Sequence, residues 1–235
     1  MNHIYIICNI EKETERLENL QKVINNSNIN ENKIDFFCKY WSDDIENIKN
    51  NNNHKMIYDN NLFQNLNNAE ISLFINHIEI LKNIKNKYKN GNFLILESDI
   101  FVYRGMQFND QKLNDIIHAS NKLDNWDIIN IGGSCYDIFL SQGYPKSNPI
   151  IIGNDKYFNE DRLICIEALI WNYNSICKFL DLFEKYNLKN NNQICEPIDV
   201  ILDNLCKAKD LNLYWKIPCL CKQASGIQFK SWLRK

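Results

Sequence analysis

Glycine and proline are scarce in this chain, with 7 and 4 among 235 residues. No stretch rich in Pro, Gly or Ser separates two halves and no internal repeat occurs, so a single domain spanning 1–235 is expected. There is no G-x-G-x-x-G run and no P-loop lysine motif, which argues against a nucleotide transferase built on those cradles. Only 4 histidines are present and Cys219-Leu220-Cys221 is not a zinc spacing, which argues against a structural zinc site and a Cys/His nucleophile pair. A net charge of -2 gives no electrostatic case for nucleic acid or an anionic membrane surface. No apolar run reaches the length needed for a transmembrane segment. The run His3-Ile4-Tyr5-Ile6-Ile7-Cys8 has no basic flank and no small-residue cleavage site, and reads as a strand rather than a signal peptide.

What is present is ordinary in bulk and uneven in detail. Hydrophobic residues at 45% and charged residues at 24% suit a globular chain able to build a substantial core. The 9 cysteines are odd in number, irregular in spacing and partly inside apolar runs. That pattern predicts reduced thiols and a cytoplasmic protein. Asparagine runs at Asn50–Asn53 and Asn190–Asn192 read as compositional bias expressed in loops.

The most informative stretch is Asn92-Phe93-Leu94-Ile95-Leu96-Glu97-Ser98-Asp99-Ile100. Phe93–Leu96 is short and continuously apolar, the signature of a buried strand. Glu97 and Asp99, two apart, emerge side by side at its carboxyl end, where open α/β sheets bind ligands. Two hard oxygen donors there suit Mg²⁺ or Mn²⁺ holding a diphosphate. Around it, strands are expected at His3–Ile10, Asp35–Tyr40, Trp126–Ile131, Leu163–Trp171 and Leu213–Ile217. Helices are expected at Glu11–Ile24, Ala69–Tyr88, Asn109–Leu123, Asn174–Tyr186 and Pro197–Lys207, with a loop carrying short helices at Ser42–Leu66 and irregular chain at Phe139–Phe158. Alternation of the two predicts an α/β sheet.

Taken in order, several segments resemble glycosyltransferase family 25, the family of lipooligosaccharide glycosyltransferases and collagen galactosyltransferases. They are Ile6-Ile7-Cys8-Asn9-Ile10 with Glu15-Arg16-Leu17; Ala69-Glu70-Ile71-Ser72-Leu73-Phe74-Ile75-Asn76-His77; Glu97-Ser98-Asp99; Trp126-Asp127-Ile128 running to Gly132; Pro197-Ile198-Asp199; and Gln223 with Ser225-Gly226-Ile227. The match spans nearly the whole chain. It departs from the family pattern where Ser98 replaces the middle acid of Glu-Asp-Asp, where Asn76 replaces a serine, and where Ser72 stands near a usual glycine. Glu167 also lies in a strand where the family favours small or hydroxyl residues.

The resemblance implies a GT-A type, Rossmann-like mixed sheet flanked by helices. It further implies inverting transfer of a hexose, galactose or glucose, from a UDP-sugar to a hydroxyl of a glycan or of a collagen-like protein. Asp99 supported by Glu97 would bind Mn²⁺ or Mg²⁺. Asn9, Arg16, His77, Ser98, Gln223 and Ser225 are the candidates for contacts with the nucleotide sugar. Asp199 is the candidate general base, with Glu167 and Glu196 as rivals. Each has a structural alternative. Asn9 can shape a turn, Arg16 can pair with the surrounding glutamates, His77 can be a core residue, and Asp199 can serve the helix dipole. From a different class, a catalytically silent nucleotide-sugar- or glycan-binding module fits the Ser98 departure.

Overall fold

The computed structural model describes residues 1–45, 63, 65–103, 105–134, 140–189, 194 and 196–223, the side chains of 187–189 excepted. Ser225, the two asparagine runs and most of the Ser42–Leu66 stretch lie outside these residues. Ten strands are described. They are β1 (His3–Ile7), β2 (Ile34–Phe37), β3 (Asn92–Glu97), β4 (Ile100–Val102) and β5 (Ile128–Asn130), then β6 (Ile150–Ile152), β7 (Asp155–Glu160), β8 (Ala168–Asn172), β9 (Leu213–Ile217) and β10 (Cys221–Gln223). The α-helices described end to end are α1 (Thr14–Asn25), α2 (Asn68–Lys87), α3 (Asp110–Ser120), α4 (Tyr173–Lys189) and α5 (Ile198–Lys207).

Eight strands form one mixed sheet in the order β2-β1-β3-β8-β5-β9-β7-β6, while β4 and β10 pair separately. β1 is parallel to both β2 and β3, and β8 runs antiparallel between β3 and β5. The chain leaves β1 towards β2 on one side and returns to β3 on the other. That reversal opens a crevice at the carboxyl ends of β1 and β3.

The apolar continuity of β3 follows from this position. Phe93 and Ile95 join a core packed on α2, α4 and α5, with Phe74, Phe179 and Ile201. Leu94 and Leu96 join the core on the opposite face, with Leu20 of α1 and Leu113 and Ile116 of α3. A strand covered on both faces has no polar side to show.

Helix α2 begins with a capping box, Asn67 accepting from Ala69 and Glu70 while Glu70 reaches back to the Asn67 N–H. Its Asn76 and Ser72 hold the chain after β2. Asn76 accepts from the Lys39 N–H at 2.7 Å, and Ser72 donates to the Tyr40 carbonyl at 2.7 Å. Both departures at α2 thus have a backbone-anchoring task.

Two expectations are corrected. The stretch expected to be irregular contains the β6–β7 hairpin, in which Asp155 and Glu160 are buried. Asp155 pairs with Lys112 at 2.8 Å and with the fully buried Lys216 at 3.1 Å. Glu160 accepts from Lys146 N, Ser147 N and Ser147 Oγ. Cys165 is disulfide-bonded, against the expectation of reduced thiols throughout. The strand begins at Ala168, five residues later than expected, so Cys165 lies half-buried in loop rather than sealed in the sheet. Disulfides persist in oxidising compartments, so the cysteines no longer argue for the cytoplasm. Among the described residues no helix is long and apolar enough to cross a membrane.

Candidate functional site

β3 ends at Glu97, and the chain turns through Ser98 and Asp99 into β4; all three are buried. Asp99 therefore sits in a turn, and Glu97 alone is on the strand. By the alternation of β3, Glu97 continues the row of Phe93 and Ile95, towards the face that carries α5. Ser98 lies towards α1.

On the α5 side the carboxylates crowd. Burial raises the Glu97 carboxyl well above its ordinary pKa, and the charges of Asp99, Glu167 and Asp199 push the same way. The Gln223 amide opposes them by donating from Nε2 to Glu97 Oε2 at 2.7 Å. Glu167 immediately precedes β8, and its carbonyl accepts from the Glu97 N–H at 3.0 Å. Its side chain is fully buried. Oε1 accepts from the Ser134 N–H at 2.8 Å, and Oε2 has no hydrogen-bond partner among the described residues. Burial raises its pKa as well. Gly132 leaves room for it, since a Cβ there would stand 2.5 Å from Glu167 Oε1. The Gln223 N–H donates to Ser134 Oγ. A continuous path, Glu97–Gln223–Ser134–Glu167, thus links two buried carboxyls.

Asp199 occupies the first turn of α5 behind Pro197, and is half-buried. Desolvation raises its pKa, and the charges of Glu70 and Asp203 add to the rise. Its Oδ1 accepts from the Val200 N–H at 3.0 Å. The rival Glu196 is engaged elsewhere, accepting from Tyr186 and Asn204.

The α1 side is built around a residue that sequence reasoning passed over. Glu13, 4% exposed, accepts from the Asn9 N–H at 2.8 Å, from Arg16 Nη1 at 2.9 Å and from Ser98 Oγ at 2.7 Å. Arg16 Nη1 also donates to Ser98 at 3.0 Å, and its Nη2 stands 3.8 Å from Asp99 Oδ2. Glu13 reads as one of four solvated acids (Glu11, Glu13, Glu15, Glu18); its position three before Arg16 at the helix start was the signal available. Asn9 shapes the turn, its Oδ1 accepting from the Glu11 and Lys12 N–H groups.

Asp99 Oδ1 is buried with no hydrogen-bond partner among the described residues. An unsatisfied buried carboxylate oxygen fits a divalent cation, which would add the missing contact. No group of three or more His, Cys, Asp or Glu among the described residues is arranged to hold a metal. That still fits Mg²⁺- or Mn²⁺-type binding through one or two carboxylates completed by phosphates and water. Glu97 and Asp99 are the residues that would hold it. His77 is buried and neutral, its pKa lowered to about 3 by desolvation, and its Nε2 finds no partner among the described residues, Glu97 included. The Trp126-Asp127 motif lies at the opposite end of the sheet, before β5.

Compared with known proteins, the chain matches no family model and no curated sequence.

Proposed function

We propose that this chain is a metal-dependent glycosyltransferase of GT-A type, related to glycosyltransferase family 25. It moves a hexose, galactose or glucose, from a UDP-sugar to a hydroxyl of a glycan or protein acceptor. The observation that carries the reading is Asp99. It lies at the crevice between β1 and β3, with a buried oxygen that no described residue bonds, Glu97 two residues before it and Arg16 at 3.8 Å. A divalent ion held there supplies charge neutralisation for a departing diphosphate.

This chain's own residues have distinct tasks in that reading. Arg16, fixed by Glu13 and Ser98, presents a guanidinium to the diphosphate from the α1 side. Ser98 in place of an acid suits the spot, because a third carboxylate would face buried Glu13 and Asp99. Gln223 fixes Glu97 from the opposite side. Asp199, with its raised pKa, takes the acceptor proton as general base. Glu167, accepting from the Ser134 N–H, orders the Ser134–Gln223 path.

A second reading is a catalytically silent module that binds the nucleotide sugar. The absence of a third ligating side chain among the described residues favours it. Calorimetry of UDP with Mn²⁺ and with EDTA, followed by a turnover screen of UDP-, GDP- and CMP-sugars, tests both. Mn²⁺ is expected to strengthen UDP binding, and Asp99→Ala to remove the gain. Equal affinity with and without metal overturns the metal assignment. Metal-dependent binding without turnover of any sugar selects the silent module.

A further inference from the structure

At the other end of the sheet lies a cavity of about 710 Å³, within the roughly 300–1,000 Å³ range of small-molecule sites. It opens between the residues that precede β3, β5 and β9 and those that follow β8. The six residues of β3 hold it about 17 Å from Glu97, so it is separate from the crevice described above.

Its chemistry narrows the occupant. The lining has one cation and one carboxylate, Lys178 and Asp127, and they are bonded to each other at 2.7 Å. Asp127 also accepts from Ser175 Oγ at 2.7 Å and from the Asn212 N–H at 2.8 Å. A saturated carboxylate offers nothing to a metal, and a neutralised lysine offers little to an anion. The rest is dominated by amides. Asn121, Asn125 and Asn174 are exposed, and their side chains make no hydrogen bond to any described residue. Each presents a donor pair and an acceptor, which matches the alternating donors and acceptors of hydroxyl groups. Half-buried Trp126, fixed against the core, adds an aromatic surface for C–H faces.

We infer that the amino end of the sheet is a second binding site, for a neutral oligosaccharide, formed by Asn121, Asn125, Asn174 and Trp126. It holds a glycan away from the crevice and does not depend on the proposed transfer. The test is a titration of the isotope-labelled full chain with maltotriose, cellotriose and chitotriose, following side-chain amide and indole signals by NMR. At least one trisaccharide shifts the Asn121, Asn125 and Asn174 amides and the Trp126 indole. The double variant Asn121→Asp/Asn174→Asp, at exposed positions, keeps the parental melting temperature and weakens that binding by about tenfold, the worth of one lost hydrogen-bonding arrangement. UDP affinity is unchanged in it. The inference is overturned if none of the three moves these signals at millimolar concentration, if shifts appear only around Glu97 and Gln223, or if the double variant binds as the parent does.

Discussion

At the amino end of the sheet Asp127 is saturated, accepting from Ser175, Lys178 and the Asn212 N–H, while at the carboxyl end Asp99 and Glu167 each leave a buried oxygen unbonded among the described residues. Both ends therefore carry buried acids. Only one end leaves them electrostatically unfinished, with Glu97 and Glu167 both raised by desolvation. An acid with all its donors in place is an anchor. An acid that the fold buries and leaves short of a partner stores potential for a ligand, since unpaired buried polar atoms are costly.

The contrast can be broken most decisively at Asp199. As the general base, Asp199→Asn lowers sugar transfer by about two to four orders of magnitude with donor affinity nearly intact. As a helix-dipole contact alone, the change costs about 0.3–1 kcal/mol of stability and leaves the rate unaltered. Steady-state kinetics at saturating donor, paired with a thermal melt, separate the two.

Asp127→Ala should act in the opposite sense, on stability rather than on binding. It leaves the buried Ser175 hydroxyl and the Asn212 N–H unpaired while exposed Lys178 returns to water, and a loss of about 1–3 kcal/mol is expected from denaturant unfolding. UDP affinity measured below the unfolding transition stays parental; a lowered affinity would mean that the two ends are coupled.

Gly132→Ala is the finer probe. Its Cβ would press on Glu167, at a cost of about 1–3 kcal/mol for overpacking. Turnover is expected to fall more than the melting temperature does, because the Glu167–Ser134–Gln223–Glu97 path must shift. A full rate in a destabilised variant would reduce that path to scaffolding.

A last effect concerns pH and appears only in acid. His77 has its pKa lowered from 6.5 to about 3 by burial, so the folded state holds it neutral while the unfolded chain protonates it. Its contribution is intact above the unfolded value and is lost as pH falls from about 6.5 towards 3. The melting temperature should therefore drop over that window, and drop less steeply in His77→Leu. Identical slopes would assign the acid sensitivity to other groups.

Sequence reasoning found β3 and its acidic end because a strand buried on both faces cannot hide. It missed β7 because Asp-Lys-Tyr-Phe-Asn-Glu reads as polar, whereas Asp155 and Glu160 are buried with partners from α3, β9 and the loop before β6. Pattern reasoning assumes that acids face water, and here tertiary pairing overrides it. Glu13 escaped for the same reason, since its contact with Ser98 spans 85 residues and no local signal marks it. Helix α2 was legible to within a residue at each end, its apolar stripe and its caps agreeing. Asn9 and His77 show the converse: their types suggested ligands, while their bonds and burial serve the turn and the core.

The bond from Gln223 to Glu97 joins residues 126 positions apart. During synthesis the chain emerges from its N-terminus, so β1, α1 and β3 can associate long before β10 exists. Glu97 then waits, buried beside other acids, for the strand that will stabilise it. A nascent chain or fragment ending short of residue 223 holds the crevice walls but lacks the amide that fixes Glu97. Completion of the crevice thus waits for β10, the last strand described, and shorter fragments hold Glu97 without its amide partner.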